Sequence, residues 1–118
     1  MKKPHLVVLL LVLCSFSFQS DFGSLVQRRK AIEPRYETAR SLPSSDELLA
    51  RHYRDMVRYC LASFDEDTAT ARFYETLDRK GQLPKGQGEP LISRMGESLD
   101  DAEAYTDSLQ IIANVKKK

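Results

Sequence analysis

Between residues 45 and 64 the apolar side chains recur with the period of an α-helix. Such spacing places them on one helix face, which can be buried against other helices. A capping box precedes the run, because Ser44 and Glu47 have the spacing that lets each bond a free backbone N–H group. The pattern predicts an amphipathic helix from about Ser45 to Phe64, with Leu48 broadening its buried face. The residues that define this face, at intervals of four, three, four and four, are Leu49, Tyr53, Met56, Cys60 and Phe64.

Weaker helix signals continue on both sides of this run, and no stretch shows strand-like alternation. On the N-terminal side, a short helix is predicted from about Leu25 to Glu33, because Pro34 disfavours helical geometry in the residue before it. On the C-terminal side, we expect a tight corner after Phe64 and a second helix that ends near Gly81. In that second helix Phe73 is expected to face inward.

The last third of the chain is predicted to be a loop followed by helix. Residues 82–90 contain two prolines and two glycines, which interrupt regular structure. From Leu91 to Ile112 the apolar residues keep helical spacing, in one long helix or in two collinear pieces that meet near Gly96. The fold class predicted is therefore all-α, a small bundle of three to four amphipathic helices. Residues 44–118 form its helical domain, and residues 18–43 are a polar N-terminal segment with a short helix.

The first 17 residues have the pattern of a secretory signal peptide. Lys2 and Lys3 provide a basic start, and an uncharged run follows from Leu6 to Phe18. That run is about 13 residues, or roughly 20 Å as a helix, and a membrane-spanning helix needs about 20 residues. The run is therefore too short to span a membrane comfortably. Small residues near Ser17 suit a signal peptidase, so cleavage before Phe18 is predicted.

Other fates of this leader remain open. Cleavage after Ser20 is the second possibility, and an uncleaved anchor is the third. Lipidation of Cys14 is disfavoured because the bulky Leu13 precedes it. With cleavage, the protein is exported to the periplasm or the extracellular space and keeps no stable membrane span.

The composition after cleavage excludes some partners. Without Lys2 and Lys3 the chain has 16 basic and 17 acidic residues, so its net charge is close to zero. A near-neutral chain has no overall field that attracts nucleic acid. Cys60 is then the only cysteine, so no internal disulfide can form and the fold rests on its core. A buried Cys60 is the favoured reading. A disulfide between two chains, and hence a possible homodimer, is the alternative.

No catalytic centre and no cofactor are predicted. His52 and Cys60 lie eight residues apart on one helix, which separates their backbones by about 12 Å. A thiolate–imidazole pair needs contact at about 3 Å. His52, Met56 and Cys60 form a stripe of soft ligands that would suit copper(I), but on a helix the three fan apart and converge poorly. Metal binding is therefore not predicted.

The candidate partner-binding residues are three arginines and two loop residues. Arg51, Arg54 and Arg58 lie opposite the apolar face and form a basic ridge on which an acidic partner would dock. Lys85 and Gln87 lie in the predicted loop, and loops held by a rigid scaffold often carry binding sites.

One stretch of the chain resembles a known family. Arg58-Tyr59-Cys60-Leu61-Ala62-Ser63, inside the capped helix of an exported chain of this size, is similar to a helix of the periplasmic immunity proteins that neutralise type VI secretion amidases. The resemblance covers one helix and implies an all-helical protein that acts by binding another protein. It assigns no binding residue. In that family a second cysteine tends to pair with the first, and no cysteine follows Cys60 here.

These observations predict a small exported helical protein that binds another protein, such as an inhibitor, an immunity factor or an envelope-assembly subunit. One alternative is a secreted precursor, because Arg28-Arg29-Lys30 would suit a processing protease. A soft-metal carrier is a further, less favoured alternative.

Overall fold

The computed structural model describes residues 17–117, with side chains for residues 17–113, and consists of three helices over that range. We number them α1 (Phe18–Arg40), α2 (Glu47–Arg79) and α3 (Gly88–Lys117). The predicted all-α bundle is confirmed, at the lower end of the expected helix count. Residues 1–16 of the predicted signal peptide lie outside the described residues.

The three helices pack in an up-down-up arrangement. α2 and α3 form a hairpin, because only residues 80–87 connect them. α1 runs antiparallel to α2, since the backbone N–H of Gln19 lies against Asp78 and the Tyr36 hydroxyl donates to the Arg54 carbonyl. α1 therefore runs parallel to α3.

All three helices contribute to one apolar core. Each helix buries a stripe of side chains against the other two, as amphipathic helices do in a bundle. In α1 the stripe is Phe18, Phe22, Leu25, Ile32, Tyr36 and Ala39; in α2 it is Ala50, Val57, Cys60, Leu61, Phe64 and Ala71; in α3 it includes Leu91, Met95, Leu99, Ala102 and Leu109.

α1 is much longer than the predicted short helix, and it passes through Pro34. A proline inside a helix costs about 3 kcal/mol. Here the turns on both sides of it are held by tertiary contacts: Ile32 and Tyr36 are buried, and Arg35 donates to Asp107 of α3. Packing thus outweighs the local penalty, and the segment 18–43 is an integral part of the bundle.

α2 also differs from prediction at both ends. Its N-cap is Asp46, whose side chain accepts from the backbone N–H of Leu49, whereas Ser44 accepts from the N–H of Asp46. The expected corner after Phe64 is absent, and the helix continues to Arg79. The acidic stretch there is held by other helices: Asp65 binds Arg29 of α1 and Asp67 binds Arg94 of α3.

The loop between α2 and α3 is confirmed. α2 stops at Arg79, and Gly81 and Gly86 adopt positive φ angles of 70° and 79°, which glycine tolerates. Gly88 already belongs to α3, and Pro90 lies in the first turn, where its missing N–H costs little. α3 is a single helix that continues through Gly96.

Of the helices that the structure describes, none has both the length and the apolar content that crossing a membrane requires.

Candidate functional site

The three arginines of the predicted basic ridge lie along α2 on the side that faces α1. Arg54 is half-buried; its guanidinium binds Glu47, and its carbonyl accepts from Tyr36. Arg58 is exposed and pairs with Asp55 one turn earlier. Arg51 is exposed. The ridge exists, but two of its three cations are already matched by carboxylates of α2.

A groove of about 260 Å³ separates α1 from α2 beside this ridge. Three arginines line it, and each pairs with a carboxylate. Arg29 binds both Glu33 and Asp65, Arg40 binds Glu37, and Arg58 binds Asp55. Because the positive charge of the groove is compensated locally, an anionic ligand would have to displace these ion pairs.

The loop residues are remote from the ridge. Lys85 and Gln87 are exposed in the loop between α2 and α3, and the Gln87 side chain donates to the Tyr74 hydroxyl at 3.3 Å. Arg58 lies 22 residues before Lys80, so about 33 Å of helix separates the ridge from the loop. The structure therefore does not bring the predicted partner-binding residues into one site.

A more coherent surface lies on the side of α2 opposite the core, with His52 reaching Tyr105 of α3 and Ala62 bordering the groove beside α1. We call it the outer face of α2. Its three large apolar side chains, Leu48, Tyr59 and Phe73, are exposed to 77%, 69% and 60%. Every member of the face is exposed, and the set consists of Leu48, His52, Asp55, Tyr59, Ala62, Glu66, Ala69 and Phe73.

The outer face follows a regular spacing. Its members alternate steps of four and three residues over the whole length from Leu48 to Phe73. This is the heptad spacing of helices that pack side by side along their length. The two ends of the face are 25 residues apart, or about 38 Å along the helix.

The sequence pattern did not predict this surface. It assigned Leu48 to the buried face and Phe73 to an inward position, and both assignments are wrong. The error at Phe73 follows from the expected corner: a helix that restarted after Phe64 could turn any face inward, whereas the continuous α2 fixes Phe73 on the side opposite Val57. The four–three spacing was the signal that could have revealed the face.

The soft-ligand stripe is divided between the surface and the core. His52 is exposed, with its ring 6.2 Å from that of Tyr105, whereas Cys60 is 6% exposed. Burial, and secondarily the nearby Asp101 carboxylate, raises the pKa of the Cys60 thiol. Within the described residues, no three His, Cys, Asp or Glu side chains are arranged to hold a metal ion.

The predicted processing site, Arg28-Arg29-Lys30, lies in the middle of α1 and takes part in the packing of the bundle. Arg28 bonds Asp100 and Glu103 of α3 at 2.7 and 2.6 Å, and Arg29 bonds Asp65 of α2 at 3.1 Å. These carboxylates raise the pKa of both guanidinium groups. A processing protease would have to unwind α1 and break these ion pairs to cut the chain here.

No family model matches the chain, and neither the curated proteins nor the solved structures compared with it show a significant match. Function is therefore inferred from the fold and from the outer face of α2. Together they define a three-helix bundle in which one helix presents a regular, partly apolar seam.

Proposed function

We propose that this chain is an exported helical protein that acts by binding another protein chain through the outer face of α2. The observation that carries the proposal is the exposure of Leu48, Tyr59 and Phe73 on one helix face. Single exposed apolar residues are common on proteins. Three large ones at positions of one heptad register are typical of a helix-packing surface.

The composition of this surface supports the proposal. Tyrosine, phenylalanine and arginine are enriched at the centre of protein interfaces, and tyrosine and arginine are frequent hot spots. Tyr59 lies near the middle of the outer face, and Arg51 and Arg58 run along its edge on the α1 side. The predicted ridge thus borders the face. A partner would bury Tyr59 and meet two flanking cations.

The sequence supports export and a class of partner. The leader at residues 1–17 favours the periplasm or the extracellular space, and the resemblance of residues 58–63 to a helix of amidase immunity proteins favours an inhibitor or immunity factor. An envelope-assembly subunit would use the same surface. All three roles need a docking face and no catalytic group of their own.

The proposal is tested by photo-crosslinking in the host. A benzophenone amino acid replaces Phe73 in one strain and Ile111 in another. Ile111 is the matched control, because it is an apolar residue of similar exposure, 61%, on α3. We expect a discrete protein adduct from position 73 and none from position 111.

A second arm tests whether binding needs the apolar side chains. Tyr59→Ser should abolish the adduct formed at position 73, while Ile111→Ser should leave it intact. Equal crosslinking at both positions, or adducts insensitive to Tyr59→Ser, would show that the outer face is not a docking surface.

A further inference from the structure

We propose that the chain docked on the outer face of α2 is a second copy of this protein, with the two α2 helices antiparallel. The inference rests on the proposed function, since it identifies the chain that covers this face. Two observations carry it: the register of the exposed side chains and the uneven distribution of charge along α2.

The register is symmetric about a point between Cys60 and Leu61. In an antiparallel pair centred there, two residues of the two copies lie level with each other when their numbers add up to 121. Leu48 then faces Phe73 of the second copy. Tyr59 faces Ala62, and His52 faces Ala69, so that each ring meets a small side chain. Alternation of large and small residues is what allows two helices to pack closely.

Charge favours the antiparallel direction over the parallel one. Arg51 and Arg58 border the outer face in the first half of α2, and Glu66 lies on it in the second half. Asp65 and Asp67 of the second half bind α1 and α3 instead. An antiparallel pair places Glu66 of one copy between Arg51 and Arg58 of the other, whereas a parallel pair would set Glu66 level with Glu66.

One pair in this register is unfavourable. Asp55 lies level with Glu66 of the second copy, and two carboxylates repel. Arg51 and Arg58 flank this position, and Arg58 already binds Asp55 within its own helix. Each Glu66 therefore meets two cations of the other copy along with the one carboxylate, and polar positions of this kind fix the register of paired helices.

The first experiment measures mass in solution. The chain is produced from its full coding sequence in an exporting host, so that any processing of residues 1–17 takes place. It carries Cys14→Ser, so that Cys60 is the only cysteine whether or not processing occurs. Light scattering from about 1 μM to about 1 mM covers the Kd range of weak interfaces, so the measured mass should rise with concentration towards twice the mass of the chain. Phe73→Glu should raise the dimer Kd at least about tenfold, since it removes a buried ring from each half of the interface. Ile111→Glu should leave it unchanged.

The second experiment tests the register. A Leu48→Cys, Phe73→Cys double variant should form an intermolecular disulfide under mild oxidation, because each new thiol faces the other type. Neither single variant should crosslink with itself, since identical positions lie about 38 Å apart in this arrangement. Self-crosslinking of Leu48→Cys alone would indicate a parallel pair and overturn the proposal.

The outcomes separate this inference from the proposed function. A monomer at every concentration, together with a photo-adduct of a different protein at position 73, overturns the dimer and leaves the docking face intact. A monomer with no adduct overturns both. Equal effects of Phe73→Glu and Ile111→Glu on the mass would show that association does not use the outer face.

Discussion

Phe18 holds the start of α1 in the core of the bundle. Its side chain is completely buried, with its ring 5.9 Å from that of Phe22 and 5.8 Å from that of Tyr74. Cleavage before Phe18, as the sequence predicts, keeps this side chain in the core. Cleavage after Ser20 would remove it.

The fit between Phe18 and Gly88 gives a prediction at the residue scale. A Cβ on Gly88 would lie 2.6 Å from Phe18 Cδ2, so Gly88→Ala should destabilise the fold by about 1–3 kcal/mol through overpacking. Phe18→Ala should cost about 3–5 kcal/mol. In urea denaturation the double variant should be more stable than the sum of the two changes predicts, because the clash partner is gone.

Gly23→Ala is the matched control for that experiment. It is also a helical glycine, but a Cβ there meets nothing within 4 Å. The substitution should stabilise α1 by about 1 kcal/mol through helix propensity. Strict additivity of Phe18→Ala and Gly88→Ala would contradict the described contact.

Cys60 gives a prediction about pH. Burial raises its thiol pKa above the ordinary value of 9.0, so the folded chain keeps its proton where the unfolded chain loses it. The associated stability is fully present below about pH 9 and falls as pH rises further, by up to about 1.4 kcal/mol per pH unit. Urea denaturation at pH 8 and pH 10 should show a larger loss for the wild type than for Cys60→Ala.

Two results would speak against a buried Cys60. One is a parallel decline of the wild type and Cys60→Ala with pH. The other is rapid alkylation of the native thiol by iodoacetamide, because a thiol in the core should react only after denaturation.

At the scale of the element, the sequence predicted helices correctly but divided them wrongly. The acidic stretch from Asp65 to Asp67 resembles a helix start, and Pro34 resembles a helix stop, when each is judged by its neighbours alone. Both signals are overridden by residues far away in the chain. Asp67 binds Arg94, and Arg35 binds Asp107, and neither pairing can be deduced without the packing of α3.

The continuity of α2 is testable at Glu66. In a sample dilute enough to be monomeric, this side chain is exposed and points away from the bundle, so a change there acts mainly through the backbone. Glu66→Pro should destabilise the fold by about 3 kcal/mol or more, since it breaks a helix interior. Glu66→Ala should change stability by less than about 0.5 kcal/mol.

Thermal or urea denaturation of the two variants decides the point. If residues 64–68 formed the corner that the sequence suggested, proline would be tolerated and the two variants would have similar stability.

At the scale of the whole molecule, the class of fold was predictable and the candidate site was not. Apolar residues at helical spacing predict buried stripes whatever the partners are. Which residues remain outside depends on where two other helices lie around α2. Leu48 is apolar, yet it stays exposed because α1 and α3 cover only the opposite side of α2. Arg51 and Arg58 are exposed and Arg54 is half-buried, and the pairing of Arg54 with Glu47 and of Arg58 with Asp55 was not foreseen.

The central claim is that protein covers the outer face of α2 when the chain is in its native setting. Hydroxyl-radical footprinting of the wild-type chain tests this most directly, by comparing the oxidation of Tyr59, Phe73 and Ile111 in the host with that in a dilute purified sample. We predict that Tyr59 and Phe73 are protected in the host and oxidised when dilute, while Ile111 is oxidised equally in both. Equal oxidation of all three residues in the two samples would contradict the account.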